Sequence, residues 1–93
     1  MAPTLLTPNE IETSLRSLKG WTLKGNQIEK TVTLPDFGRA MGFVTSVALL
    51  AERRDHHPDI TIRWNTVTLL LSTHSAGGLT AHDVDLAREI DGL

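Results

Sequence analysis

Apolar and polar residues near the N-terminus follow the spacing of a short helix. Ile11, Leu15 and Leu18 recur at i, i+4 and i+7, which places them on one helix face. Before them, Thr7-Pro8-Asn9-Glu10 combines a capping hydroxyl, a proline at the first helical position and a glutamate that can reach back to the cap. The pattern predicts a helix that begins here and ends at Gly20, which can adopt the left-handed conformation.

The next segment alternates between apolar and polar residues with a period of two. One stretch contains Trp21 and Leu23, and a second contains Ile28 and Val32. Gly25-Asn26 separates them and suits a tight two-residue turn. The alternation predicts a β-hairpin with one half-buried face.

A longer amphipathic helix is predicted to begin after Asp36, which can cap it. Its expected apolar face consists of Phe37, Ala40, Val44, Val47, Ala48 and Ala51. Gly38 and Gly42 each cost about 1 kcal/mol against alanine inside a helix, so we expect close packing against the sheet there. Pro58 is expected to enforce the end, because the residue before a proline, here His57, is pushed out of helical geometry.

A second hairpin is predicted from the same period of two. Its apolar positions are Ile60, Ile62 and Trp64, then, after Asn65-Thr66, Val67, Leu69 and Leu71. Strand parity predicts that His74 points to the same side as Ser72, opposite Leu69 and Leu71. The run Leu69-Leu70-Leu71 is apolar on both faces, so we expect a strand that is covered on both sides or continued into a partner subunit.

A last helix is predicted after a glycine-rich loop. Thr80 and Asp83 repeat the capping pattern, and Val84, Ala87 and Ile90 form its apolar stripe.

The resulting order α-β-β-α-β-β-α predicts an α+β fold. Two hairpins, each followed by a helix, indicate a four-stranded antiparallel sheet with the helices packed on one face. The 93 residues contain no linker, which predicts a single domain over residues 1–93. A domain of this size buries only about 60% of its unfolded surface, so self-association would add burial.

Composition narrows the classes of function. The formal net charge is −2 and the longest basic cluster is Arg53-Arg54, which argues against a nucleic-acid surface. The chain has no cysteine, which excludes disulfides, thiolate metal sites and a thiol nucleophile. No window approaches the roughly 18 apolar residues of a membrane span, and no signal-peptide pattern is present. We expect a soluble, cytoplasmic protein without membrane contact.

Three of the four histidines, His56, His57 and His74, lie between the end of the second helix and the end of the second hairpin. Imidazoles titrate near neutrality and can both donate and accept protons. A dehydration needs one group to protonate the leaving hydroxyl and another to accept a proton from the neighbouring atom. Glu52 and Asp55 are close enough in sequence to orient these imidazole rings. Alternatively, they form only a solvated helix end.

Other readings of these residues have weaker support. Adjacent histidines diverge and H-E-x-x-H is absent, which disfavours zinc. Ser72, His74 and Asp83 are the residue types of a hydrolase triad, but no G-x-S-x-G elbow presents the serine. Gly77-Gly78 before a helix is a weak anion-binding signal, and His82 in a first helical turn is interpreted as a surface or satisfied residue. Physical reasoning alone therefore leaves histidine-mediated elimination and plain binding open.

The chain resembles the pterin-4a-carbinolamine dehydratase family in a set of short motifs. These are E-R-R-D-H-H-P, the aromatic Trp64, S-T-H and G-L-T-x-x-D. Trp21, the L-P-D-F helix start and the D-x-x-L-A-R-E-I-D helix also fall where the family would place them, so the resemblance covers nearly the whole chain. It implies a hydro-lyase that removes water from 4a-hydroxytetrahydropterin to give quinonoid dihydropterin, without a metal or organic cofactor, in tetrahydrobiopterin recycling.

The resemblance also implies residue roles. His56 and His74 correspond to general acids for the two stereoisomers of the 4a-hydroxyl, and His57 to a substrate-binding histidine with some base character. Supporting acids are implied at Glu52, Asp55 and Asp83. The implied substrate-binding residues are Trp21, Asp55, His56, His57, Pro58, Ser72, Thr73, His74 and Ser75.

The partners implied by the resemblance are a pterin, other copies of the chain in a dimer or tetramer whose sheets join, and functional coupling to an aromatic amino acid hydroxylase. Animal members also act as dimerisation cofactors of a homeodomain transcription factor, which leaves a non-catalytic interaction module as an alternative. Ala76 stands where animal relatives carry a cysteine. A molybdopterin-related or assembly paralogue is a third possibility, and the complete histidine set favours the enzyme.

Overall fold

The computed structural model describes residues 3–93. Its elements are α1 (Pro8–Ser17), β1 (Thr22–Lys24), β2 (Gln27–Thr33), α2 (Phe37–Arg54), β3 (Asp59–Arg63), β4 (Thr66–Leu71) and α3 (Ala81–Asp91). A single 3-10 turn (His74–Ala76) lies between β4 and α3. The predicted order of helices and strands is confirmed. No helix within residues 3–93 has the length and apolar character needed to cross a membrane.

The capping residues predicted from sequence act as expected at the helix starts. Thr7 and Glu10 form a capping box on α1, and the Asp36 carboxylate accepts the Arg39 amide at the start of α2. Each such cap stabilises its helix by about 1 kcal/mol. The Gly25-Asn26 turn is also observed, with Gly25 in the left-handed region at φ 62°.

The four strands form one antiparallel sheet in the order β1-β2-β4-β3. The predicted α+β fold is confirmed. Leu69 and Leu71 are fully buried, whereas Leu70 points to the other face and is half-buried. Because β4 is hydrogen-bonded on both sides, joining this sheet to that of another subunit would require β1 or β3. The interpretation that the Leu69-Leu70-Leu71 strand itself continues into a partner is therefore wrong.

One face of the sheet and the helices enclose the hydrophobic core. The buried apolar residues are Leu18, Trp21, Ile28, Ala40, Val47, Ala51, Val67, Leu69, Leu71, Leu79, Val84, Leu86, Ala87 and Ile90. Burying a valine, leucine or isoleucine side chain contributes about 1.5–3 kcal/mol, so this core holds α2 and α3 against the sheet.

The buried stripe of α2 is narrower than predicted. Phe37 is 53% exposed and Ala48 is also exposed, so neither belongs to the buried face. The expectation that Gly38 and Gly42 mark close packing is wrong as well. A Cβ at Gly42 would meet no described atom within 4 Å, and one at Gly38 would meet only the Asp36 carboxylate at 3.5 Å. Low helix propensity reports a local cost and does not reveal which side of the helix is covered.

The turn of the second hairpin lies one residue earlier than predicted. It consists of Trp64 and Asn65, and the backbone of Trp64 is left-handed at φ 51°. The Trp64 side chain is 69% exposed and does not continue the strand face of Ile60 and Ile62. The Asn65 side-chain amide donates to the Leu34 carbonyl at 2.9 Å and ties the turn to the end of β2. Trp64 continues the apolar alternation of β3, so the sequence pattern predicted the turn one residue too late.

The C-terminal end of α2 is tied to α3 by charged groups. Arg53 and Arg54 both donate to the Glu89 carboxylate. The hydrogen bond from Arg54 is the main reason that the pKa of Glu89 is lowered. Burial opposes this shift, and Arg53 adds a smaller lowering effect. These pairs fix the end of the helix from which the histidine segment leaves.

Candidate active site

The histidine segments meet at a pocket of about 370 Å³ beyond the ends of α2 and β4. Its walls are two short stretches of backbone, residues 55–59 and residues 72–75. The volume lies within the range of about 300–1,000 Å³ that is typical of small-molecule sites. The strand order explains why these two stretches lie side by side, because β3 and β4 are neighbours and run in opposite directions.

The way α2 ends determines where the first two histidines project. Asp55 adopts the left-handed conformation at φ 50° and ψ 43°, and its amide donates to Ala51 and Glu52. The His56 amide donates to the Ala51 carbonyl at 3.1 Å. The helix therefore ends at Arg54 through a left-handed aspartate, a residue type that tolerates this conformation better than most.

His56 is held by a buried carboxylate. Its Nε2 lies 2.6 Å from Asp83 Oδ1, the imidazole is 14% exposed and the Asp83 side chain is fully buried. An ionised carboxylate can only accept, so Nε2 carries the hydrogen in this contact and Nδ1 is the nitrogen left for a substrate.

The second oxygen of Asp83 is also fully used. Oδ2 accepts from the Thr73 hydroxyl at 2.8 Å and from the Thr80 amide at 2.9 Å. The hydroxyls of Thr73 and Thr80 are 2.8 Å apart. Three donors thus converge on one carboxylate, which offsets the cost of burying it.

His57 has a comparable partner in a very different environment. Its Nε2 lies 2.8 Å from Glu52 Oε1, but the two side chains are 56% and 80% exposed. Glu52 therefore contacts a histidine as expected, on the solvent side of the pocket wall.

His74 is exposed at the first position of the 3-10 turn. Although β4 ends at Leu71, the alternation of burial continues through Thr73, and Ser72 and His74 line the same pocket, in agreement with the parity prediction. The turn is closed by hydrogen bonds between Thr73 and Gly78, and the Asn26 side chain donates to the Gly77 carbonyl at 3.2 Å. These contacts hold the segment that brings His74 to the pocket.

Most of the residues implied as substrate-binding line this pocket. They are Asp55, His56, His57, Pro58, Ser72, Thr73, His74 and Ser75. The hydroxyl of Thr73 is already committed to Asp83, and its amide and carbonyl are bonded within the 73–78 turn. Thr73 therefore contributes a wall of the pocket and orients Asp83, without a free polar group for a ligand.

Trp21 is not among the lining residues. It is buried with 4% exposure, and its indole N–H donates to Asp91 Oδ1 at 2.8 Å. Lys30 Nζ reaches the same oxygen at 2.7 Å and the Lys19 amide donates to Oδ2. Burial alone would raise the pKa of Asp91, but the bonds from Lys30, Lys19 and Trp21 together hold it below its usual value. In this chain Trp21 joins the core to α3.

Three nearby residues were not predicted to belong to the site. Asp59 lines the pocket directly after Pro58. Thr80 is predicted only as a helix cap. His82, predicted as a surface or satisfied residue, is indeed exposed, and its ring centroid lies 5.8 Å from that of His56. The G-L-T-x-x-D motif carried a signal for Thr80, because its threonine accompanies Asp83.

A second cavity of about 370 Å³ lies on the other side of the 77–79 loop. Leucines and isoleucine dominate its walls, including Leu5, Leu23 and Ile11, and Asn26 is its one polar side chain among the described residues. Without a titratable group this cavity offers no proton donor or acceptor of the kind that an elimination needs.

Comparisons with known proteins identify the family of the chain. The family model described as pterin 4 alpha carbinolamine dehydratase matches residues 4–93. A protein of Roseiflexus castenholzii, whose name provisionally assigns it as a pterin-4-alpha-carbinolamine dehydratase, is 60% identical over 89 residues, 96% of each chain.

Solved structures extend the comparison. A transcriptional coactivator/pterin dehydratase from Brucella melitensis is 37% identical, covers 96% of this chain and 97% of its own, and superimposes with a TM-score of 0.92. A pterin dehydratase-like RuBisCO assembly factor of the α-carboxysome has a TM-score of 0.64 at 18% identity over 81% of this chain and 86% of its own, which shows a shared fold. With nearly its whole length matched, the chain belongs to the pterin 4 alpha carbinolamine dehydratase family.

Proposed function

We propose that this protein dehydrates a 4a-hydroxytetrahydropterin to the quinonoid dihydropterin by histidine acid-base catalysis. The observation that carries the proposal is the pocket itself, in which His56, His57 and His74 line one small cavity and a buried carboxylate orients His56. Family membership supports the reaction class, and the imidazoles supply groups that exchange protons near neutral pH.

The proposed reaction balances with acid-base groups alone. A protonated imidazole donates to the 4a-hydroxyl, and the C4a–O bond breaks as water leaves. The N5 lone pair forms the C4a=N5 double bond, and the N5 proton passes to a neutral imidazole or to water. Each imidazole then recovers its starting protonation by exchange with solvent, so that one water is lost and nothing is oxidised.

We assign the roles in this reaction by the surroundings of each ring. His56 and His74 stand on the two backbone segments that wall the pocket and act as acids for opposite stereoisomers of the hydroxyl. His57, with Glu52 beside it, binds the pterin and takes up the proton from N5. Asp55 and Ser72 add polar contacts at the rim, and Asp83 supports His56.

We also propose the setting of this activity. The substrate is the product of a pterin-dependent aromatic amino acid hydroxylase, so the reaction belongs to tetrahydrobiopterin recycling in the cytoplasm. A homodimer or tetramer is supported by the outer face of α2, where Phe37, Met41 and Leu49 are 53%, 39% and 68% exposed. Covering such residues with a second copy would add burial to a small domain.

The direct test is turnover of 4a-hydroxytetrahydropterin supplied by a pterin-dependent hydroxylase. Wild-type protein should accelerate the loss of the intermediate by about 10²–10⁴-fold for each effective acid-base group. The double variant His56→Ala/His74→Ala should lose most of this acceleration while keeping its circular dichroism spectrum. Wild-type turnover no faster than buffer would overturn the proposal and favour a non-catalytic interaction module.

A second variant tests the binding role of His57. We expect His57→Ala to raise KM more than it lowers kcat and to unfold at nearly the wild-type denaturant midpoint, because the ring is 56% exposed and makes one exposed contact. If the variant unfolds more readily but keeps full activity per folded molecule, His57 has a structural role instead.

A further inference from the structure

Thr80 lies outside the pocket, yet its hydroxyl is bonded into the group that holds His56. Thr80 is fully buried, and its Oγ1 accepts the His82 amide at 3.2 Å. The same oxygen lies 2.8 Å from Thr73 Oγ1, which lies 2.8 Å from Asp83 Oδ2. The other oxygen of Asp83 lies 2.6 Å from His56 Nε2. A continuous path of hydrogen bonds therefore connects the first turn of α3 to the imidazole.

The direction of every hydrogen along this path follows from the valence of its members. Asp83 as a carboxylate only accepts, so the single hydroxyl hydrogen of Thr73 points to Oδ2. Thr73 then has no hydrogen left for Thr80, and the Thr80 hydroxyl must donate to Thr73. The Thr80 oxygen accepts from the His82 amide, so all donors point towards the carboxylate.

This ordering restricts the carboxylate as well as the hydroxyls. Because the Thr73 hydroxyl and the Thr80 amide both occupy Oδ2, Oδ1 is the oxygen that faces His56. A fixed acceptor at Nε2 selects the tautomer of His56 that carries its hydrogen there. Without the hydrogen from Thr80, the buried oxygen of Thr73 is left without a donor, and the hydrogen bond from Thr73 to Asp83 is held less firmly.

We propose that Thr80 is a positioning residue, whose hydroxyl acts through Thr73 and Asp83 to hold His56 in the Nε2–H tautomer with Nδ1 presented to the pocket. The catalytic consequence rests on the proposed dehydratase function, but the tautomer itself does not. Thr80 does not itself line the pocket, and its side chain reaches the pocket wall only through the hydroxyl of Thr73.

The chain contains a matched control for the simpler role of Thr80 as a helix cap. Thr7 caps α1 with the same kind of capping box, in which Glu10 bonds back to the Thr7 amide. Thr7 is exposed and has no link to Asp83 or to a histidine. A cap can thus be removed at Thr7 without disturbing the path that ends at His56.

The test compares Thr80→Val, Thr80→Ser and Thr7→Val. Thr80→Val should lower kcat by about 10–100-fold, the range known for the loss of outer hydrogen-bond partners that orient metal-bound histidines, and leave KM near the wild-type value. Thr80→Ser keeps the hydroxyl and should restore kcat. Thr7→Val should lower only the denaturant midpoint. Equal kcat values for Thr80→Val and Thr7→Val, per folded molecule, would overturn the proposal.

A spectroscopic measurement separates this proposal from the proposed function. In protein labelled with ¹⁵N-histidine, at about pH 8 where imidazoles are ordinarily neutral, His56 should show the Nε2–H tautomer alone. Thr80→Val should give a mixture of tautomers, and an unchanged spectrum would contradict the proposal. If Thr80→Val does not fold, Thr73→Val breaks the same path and keeps the Thr80 cap. A tautomer shift in a protein without dehydratase activity would support the positioning role and refute the enzymatic one.

Discussion

His56 and His57 are adjacent in sequence, and each is hydrogen-bonded through Nε2 to a carboxylate, but their environments differ. The pair of His56 with Asp83 spans 27 positions and is almost entirely buried. The pair of His57 with Glu52 spans five positions and is mostly exposed. The two hydrogen bonds have similar lengths, but the first is shielded from water and the second competes with water.

Burial, more than distance, decides what such a contact does. In water-like surroundings an ion pair contributes about 0–1 kcal/mol, because solvent screens it and two flexible side chains must be ordered. In the interior a carboxylate needs every donor it can obtain, and removal of one partner leaves a costly unsatisfied group. Asp83 is thus suited to hold the His56 ring in one orientation, whereas Glu52 can only weakly bias the orientation of the His57 ring.

The largest effect should come from Asp83→Asn, which keeps the shape of the side chain. If the amide NH₂ faces Thr73 and Thr80 it meets two donors, and if it faces His56 it donates to Nε2 and forces the ring into the Nδ1–H tautomer, so either orientation disturbs the site. We expect a loss of about 1–3 kcal/mol in the free energy of unfolding and a fall in kcat of at least about 100-fold. Urea denaturation and steady-state kinetics measure both. Wild-type kcat in the folded variant would show that Asp83 does not orient the reacting histidine.

A smaller effect is expected from Asp91→Asn, which removes a buried carboxylate that has no histidine. The Asp91 side chain is 7% exposed and bonds Lys30, Trp21 and the Lys19 amide. We expect a loss of about 1–2 kcal/mol at pH 7 with kcat unchanged. This outcome would show that a buried carboxylate contributes to stability by itself, whereas an effect on kcat requires contact with a catalytic histidine. A fall in kcat per folded molecule would contradict it.

The pH dependence of that variant has a definite sign. Because the pKa of Asp91 is lowered in the folded protein, its contribution to stability is present above the unfolded-state pKa of about 4 and is lost as the pH falls through the folded value. The difference in unfolding free energy between wild type and Asp91→Asn should therefore be largest near pH 7 and shrink towards pH 3. Thermal denaturation at the two pH values tests this, and a constant difference would count against it.

The smallest effect should come from Glu52→Gln. The Glu52 side chain is 80% exposed, and the amide oxygen of glutamine can still accept from His57. We expect a change in unfolding free energy within about 0.5 kcal/mol, measurable by urea denaturation. A loss as large as that of Asp83→Asn would erase the proposed contrast between the two pairs.

Local pattern was sufficient to predict most of the fold. Thr7, Asp36 and Thr80 act as caps as their motifs indicate, and the helix and strand order is confirmed. Predictions from the same pattern failed where two signals overlapped. Trp64 continues an apolar alternation and yet forms the turn.

The sequence predicted most of the residues of the candidate site, but it predicted less well how they are arranged in space. The histidine segments were recognised and do line one pocket, whereas Trp21 lies elsewhere, against Asp91. Tryptophan and aspartate here are 70 positions apart, so no local period could pair them. The hydrogen bond from the Thr73 hydroxyl to Asp83 could not be predicted either, because the position of α3 in the fold brings that acceptor to Thr73.

Local sequence is enough to specify the helices, the strands and the residue types at the ends of α2 and β4, because caps, turns and periodicity act over a few residues. The strand order β1-β2-β4-β3 and the packing of α3 beside α2 decided the rest. They bring Asp83 to His56 and leave Glu52 with His57 in solvent. Tertiary structure therefore decided which of two adjacent histidines is shielded from water, since burial depends on what packs against a residue and not on its neighbours in sequence.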